Sequence, residues 1–116
     1  MNVEGFRDYC LSKHGVTESF PFDQNTIVFK IGGKLFALAG IKLFESINLK
    51  CDPERSVALR ETFSGIKPGF HMNKKHWNTV MVESDVPNQL LLDLIDHSFD
   101  LVYKSLTKKI RDGLQA

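Results

Sequence analysis

Between Lys67 and Val82 the chain reads Lys-Pro-Gly-Phe-His-Met-Asn-Lys-Lys-His-Trp-Asn-Thr-Val-Met-Val, which gathers three lysines, two histidines and the only tryptophan. Lysines contact phosphates as point charges, and an aromatic beside them can stack on a base or wedge against one. Lys67, His71, Lys74, Lys75, His76 and Trp77 are therefore the candidate nucleic-acid-binding residues, with the turn Asn73 to His76 as their centre. The structural alternative puts Trp77 in the core, the lysines on a solvated turn and the histidines on the surface or in the sheet.

Other constellations carry less chemistry. His71 and His76 lack the third protein ligand that a zinc site requires, so no metal is expected. Asp93, His97 and Asp100 recur at i, i+4 and i+7, with Asp96 beside them. That spacing allows an acid–histidine pair, but with no nucleophile at hand it predicts a solvated helix face around a partly protonated imidazole. Ser64-Gly65 lacks the G-x-S-x-G elbow, and Gly32-Gly33 lacks the surroundings of a phosphate loop. Cys51, just ahead of a helix start, is the one thiol that a helix dipole could activate. No catalytic constellation emerges, so neither an enzyme nor a bound cofactor is expected.

The elements that position these residues fit in 116 residues, enough for one domain, 1–116, with a real core. With 42% hydrophobic and 25% charged residues, the composition is that of a globular protein rather than a disordered or fibrous one. A net charge of +1 gives no overall basic footprint, so contact with a polyanion must come from a local patch. The two cysteines lie far apart, as reduced thiols in a cytoplasmic protein would. No apolar run reaches membrane-spanning length.

Asn2 caps a first helix carrying Phe6, Tyr9 and Cys10, which Gly15 stops. Val16 to Phe22 reads as an edge strand because of Pro21. Thr26 to Ile31, Gly32-Gly33 and Lys34 to Ala39 form a hairpin with a primed turn, pairing Phe29 with Phe36, Ile27 with Leu38, Val28 with Ala37 and Lys30 with Leu35. Ser46 to Lys50 alternates as a half-buried strand. Asp52-Pro53-Glu54 starts a helix that ends at Gly65. Two strands follow, Ile66 to Met72 and His76 to Glu83, around the Asn73 to Lys75 turn. Ser84-Asp85-Val86-Pro87 then opens a long helix with a core stripe of Leu91, Leu94, Ile95, Ser98, Leu101 and Val102. A second stripe, Leu92, Phe99, Tyr103 and Leu106, leaves an apolar face for the sheet or for a partner protein. The tail, Thr107 to Ala116, continues the helix or forms a separate turn.

Four segments, in order, carry a family resemblance: Gly-Val-Thr-Glu-Ser-Phe-Pro-Phe (Gly15 to Phe22), Lys-Leu-Phe-Ala-Leu (Lys34 to Leu38), Asn-Leu-Lys-Cys-Asp-Pro (Asn48 to Pro53) and His-Met-Asn-Lys-Lys-His-Trp-Asn-Thr-Val (His71 to Val80). Together with Asp96 to Val102 as a closing helix, they resemble the MmcQ/YjbR family of small bacterial proteins. The resemblance implies an α+β fold in a CyaY-like arrangement, with an antiparallel sheet packed against an N-terminal, a middle and a long C-terminal helix. It also implies a relation to double-wing DNA-binding modules. The expected function is a small non-enzymatic binding module that takes DNA or acts in regulation through a basic hairpin. The alternative is a protein-interaction or chaperone-like module that binds through an apolar sheet or helix face. DNA or another protein is the expected partner, and a monomer or weak dimer the expected state.

Overall fold

In the computed structural model, which describes residues 1–114, local chemistry starts the first helices where the caps predict. The Asn2 side chain accepts from the Gly5 N–H at 2.8 Å and opens α1 (Val3–Leu11). Asp52 accepts from the Arg55 N–H at 3.2 Å and, with Pro53 behind it, opens α2 (Pro53–Thr62). The strands are β1 (Val16–Ser19), β2 (Thr26–Ile31), β3 (Lys34–Gly40), β4 (Ser46–Lys50), β5 (Ile66–Pro68) and β6 (Trp77–Met81). They form one antiparallel sheet in the order β1-β2-β3-β4-β6-β5. The long helix α3 (Asn88–Ser105) and the short α4 (Lys108–Leu114) complete the α+β architecture.

Gly32 and Gly33 take φ of +57° and +81°, as the primed turn demands. The hairpin register holds for Lys30 and Leu35 and then slips. Phe29 pairs with Ala37, Val28 with Leu38 and Ile27 with Ala39, because Phe36 is an extra residue in a β-bulge. The Phe36 carbonyl, turned out of the ladder, accepts from the Ser98 hydroxyl of α3 at 2.5 Å. Ser98 in turn accepts from the Lys50 N–H at 2.8 Å. The bulge sends Phe36 and Ala37 into the core together, beside Ile27, Phe29 and Ile31.

The core lies between the sheet and α1 and α3. Phe6 meets Phe29 edge-on at 5.4 Å between centroids, and Phe36 meets Phe99 in the same way. Tyr103 stacks on Phe99, the Lys13 ammonium lies 5.1 Å over the Phe99 ring, and Leu106 is buried. The second stripe of α3 is thus largely taken up within the fold, with Leu92, Phe99 and Tyr103 half-buried. A Cβ on Gly32 would lie 2.7 Å from Leu106 and 2.9 Å from Ile110, so the turn is roofed by the end of α3 and by α4. The tail therefore does form a separate helix; its last two positions, Gln115 and Ala116, lie outside the described residues.

Two expected boundaries move. α2 ends at Thr62, and Gly65 serves close approach instead, since a Cβ there would fall 2.2 Å from Ser84 Oγ. Asp85 does not cap α3, which has no side-chain cap. Its carboxylate accepts from the Ser64 and Gly65 N–H groups, each at 2.8 Å, which hold its pKa below the usual carboxylate value. Among the described residues no helix is long and apolar enough to cross a membrane.

Candidate nucleic-acid interface

Because side chains alternate along a strand and paired residues share a face, the register sorts the sheet into two surfaces. Ile27, Phe29, Ile47, Leu49, Ile66 and Val80 face the helices. The outer face carries a row across the sheet, Val28–Leu38–Asn48–Thr79–Lys67, and beside it Lys30, Lys50 and Trp77. Lys50 and Trp77 are direct cross-strand partners. Every charged residue that the strands direct outward, Lys30, Lys50 and Lys67, is a lysine. The strand residues Glu18 and Lys34 belong to the helix side, through their pairing with Phe29 and Ile31.

The sixth strand is reached by a loop rather than a tight hairpin. The expected strand Ile66 to Met72 stops at Pro68, and residues 69–76 cross onto the outer face. Gly69 makes this possible, since a Cβ would lie 2.8 Å from that of Trp77. The Phe70 N–H donates to Thr79 Oγ1 at 2.9 Å instead of to a ladder carbonyl, and His71 takes a left-handed φ of +59°. The Thr79 hydroxyl donates onward to Asn48 Oδ1 at 2.5 Å. Phe70, His71 and Met72 thereby come to line one groove with Leu38, Asn48 and Phe22, the last from the β1–β2 connection.

The six candidate residues divide between this face and its rim. Lys67, half-buried Trp77 and exposed His71 lie on the outer face. Asn73 forms the expected turn, its side chain accepting from the Lys75 N–H at 2.9 Å, and leaves Lys75 exposed. The Lys74 ammonium turns back to the Gly69 carbonyl at 3.1 Å. His76 is half-buried, and its carbonyl accepts from the Cys51 N–H at 2.8 Å. Trp77 is not among the core residues, so its place is neither the core of the structural alternative nor the tip of a turn.

Arg60 of α2, which nothing local in the sequence marks, fastens the loop. Its Nε donates to Asn78 Oδ1 at 2.8 Å, and its Nη2 donates to the carbonyls of Lys74 (2.5 Å) and Trp77 (3.2 Å). Asn78 completes the tie by donating to Ser56 Oγ at 3.3 Å.

The remaining chemistry-bearing residues are engaged structurally. His97 Nε2 accepts from the Asp52 N–H at 3.1 Å and so is a neutral imidazole, not the partly protonated one expected. Burial and then Arg55 hold its pKa below 6.5, outweighing Asp52 and Asp100. Asp96 takes the Tyr9 hydroxyl at 2.7 Å and the Lys13 ammonium at 2.6 Å. Cys51 is buried, and desolvation raises its pKa, against the activation that a helix start can give. Burial pushes Cys10 up to about 12. Among the described residues no group of three or more His, Cys, Asp or Glu is placed to hold a metal.

The family model for YjbR matches residues 11–101. The chain belongs to the YjbR family. It is 44% identical over 91 residues to the uncharacterised protein YbdF of Escherichia coli O157:H7, covering 78% of this chain and 75% of that one. It is 29% identical over 112 residues to the uncharacterised protein YjbR of Escherichia coli K12, covering 96% and 95%. The crystal structure of Deinococcus radiodurans protein DR2400 superposes with a TM-score of 0.92 at 40% identity, over 98% of this chain and 88% of that one. A Pseudomonas syringae crystal structure matches with a TM-score of 0.74 at 32% identity, over 88% and 99%. The α+β expectation for this YjbR-family chain is thereby met in the solved fold of a related protein.

Proposed function

We propose that this YjbR-family protein is a non-enzymatic nucleic-acid-binding module whose sheet takes the sugar–phosphate backbone across its outer face. The observation that carries the proposal is the segregation of charge: Lys30, Lys50 and Lys67 on that face, with no strand carboxylate among them. In a protein of net charge +1, such a patch supplies locally the field that the whole molecule lacks. Trp77 beside Lys50 offers a stacking surface next to a phosphate contact. Lys75 extends the patch at the rim, while Lys74 is already engaged by Gly69. The helix-face form of the alternative, protein binding through the second stripe of α3, has less support because Leu106 and much of Phe99 and Tyr103 are covered internally.

Fluorescence anisotropy with labelled single-stranded and duplex DNA, at low and then rising salt, tests the proposal. Lys50→Ala with Lys67→Ala is expected to weaken binding at least tenfold. It is also expected to flatten the salt dependence of a single strand by about 0.7 in log–log slope per lysine. Failure of both nucleic acids to bind at low salt, or an unchanged affinity in the double variant, would sink it.

A further inference from the structure

On the outer face, the groove between the β1–β2 connection and the crossing loop has a volume of about 440 Å³, within the range of small-ligand sites. Its two sides are aromatic and largely in water: Phe22 is 71% exposed and Phe70 is 68% exposed. The His71 ring lies 4.1 Å from that of Phe70, on a residue whose left-handed backbone a histidine adopts only at some energetic cost. Asn48 and Ser46 bring polar groups to the same groove. The orientation of Asn48 follows from its neighbours. Thr79 Oγ1 accepts from the Phe70 N–H and donates its own hydrogen to Asn48 Oδ1, leaving the amide nitrogen as the group's free end. Among the described residues neither Asn48 Nδ2 nor Ser46 Oγ makes a hydrogen bond.

We infer that this groove is a base-binding subsite. An unpaired nucleobase lies between Phe22 and the Phe70–His71 pair, and Asn48 Nδ2 donates to an acceptor on the base edge. The inference rests on the proposed outer-face path of the backbone and names its ligand class, single-stranded rather than duplex nucleic acid. An apolar peptide side chain would leave the oriented amide unpaired, whereas a base offers both a π face for the walls and an acceptor for the donor. Bases in a duplex are stacked and paired, so their faces cannot enter such a slot. Asn48 and Lys50 point to the same side two residues apart on β4, about 7 Å, a separation that a base and its own phosphate can bridge.

Two exposed truncations, Phe22→Ala and Phe70→Ala, keep the fold testable by thermal melting. Combined, they are expected to weaken single-stranded DNA binding by about fivefold to a hundredfold, with duplex affinity and salt slope unchanged. Titration of 15N-labelled protein with deoxyadenosine monophosphate is expected to move the amide signals of Phe70, His71 and Asn48, and to do so less in the double variant. Unchanged single-strand affinity in a folded double variant overturns the subsite while leaving the lysine path standing if Lys50→Ala with Lys67→Ala still weakens binding. If wild-type protein binds neither single strands nor duplex, the outer-face proposal fails. The nucleotide titration then decides the groove alone, and absent shifts at Phe70 and Asn48 overturn it.

Discussion

On the helix side of the sheet, Phe29, Phe36, Ile47 and Leu49 are sealed under α1 and α3, and even the bulge carbonyl finds the Ser98 hydroxyl. On the other side the same strands present three lysines and an amide with one end unbound, and the adjoining loops add two phenylalanines in water. The strands are common to both surfaces, so the difference comes from the alternate residues. One set is chosen to exclude water, and the other leaves capacity to bind something else.

Phenylalanine truncation separates the two faces most sharply. Phe29→Ala should cost about 3–5 kcal/mol in urea unfolding, whereas Phe70→Ala should cost under about 0.5 kcal/mol. Equal losses would mean that the outer loop is as structural as the core. Gly65→Ala should cost about 2 kcal/mol, because Ser84 must give way; an unchanged midpoint would show that the link to Asp85 can relax. Ser98→Ala should cost about 1–3 kcal/mol by leaving the Phe36 carbonyl and the Lys50 N–H without their partner.

The smallest effect is the pH dependence from His97. Its folded pKa lies below the ordinary 6.5, so the unfolded chain binds more protons around and below that pH. Stability is therefore fully present above about 6.5 and declines as pH falls toward the folded value. His97→Gln should flatten that part of the profile in unfolding midpoints measured from pH 7.5 to 5, and an unaltered profile would assign the titration elsewhere.

Much of the helix side was legible in the sequence, because its signals are local: the Asn2 and Asp52 caps, the Gly32-Gly33 turn and the apolar repeat of α3. The register beyond Lys30 was not, since the bulge at Phe36 is satisfied by Ser98, 62 residues away. The outer face was half legible. Composition located the Lys67 to Trp77 cluster, and Pro68-Gly69 is a turn signal where the strand stops, but the path of the chain over Thr79 is set by contacts outside its own segment. Phe22 and Asn48 were missed as site residues because each looked ordinary in its own segment. Only the register and the crossing loop bring them together.

Arg60 has a consequence for binding entropy. Rooted in the helix layer, it grips the carbonyls of Lys74 and Trp77 at the far end of the crossing loop, while the bond from the Gly69 N–H to the Trp77 carbonyl fixes the near end. A loop tethered at both ends has already surrendered most of its conformational freedom during folding. A ligand meeting Phe70 and His71 would have little left to immobilise, so a modest contact area could yield a measurable affinity.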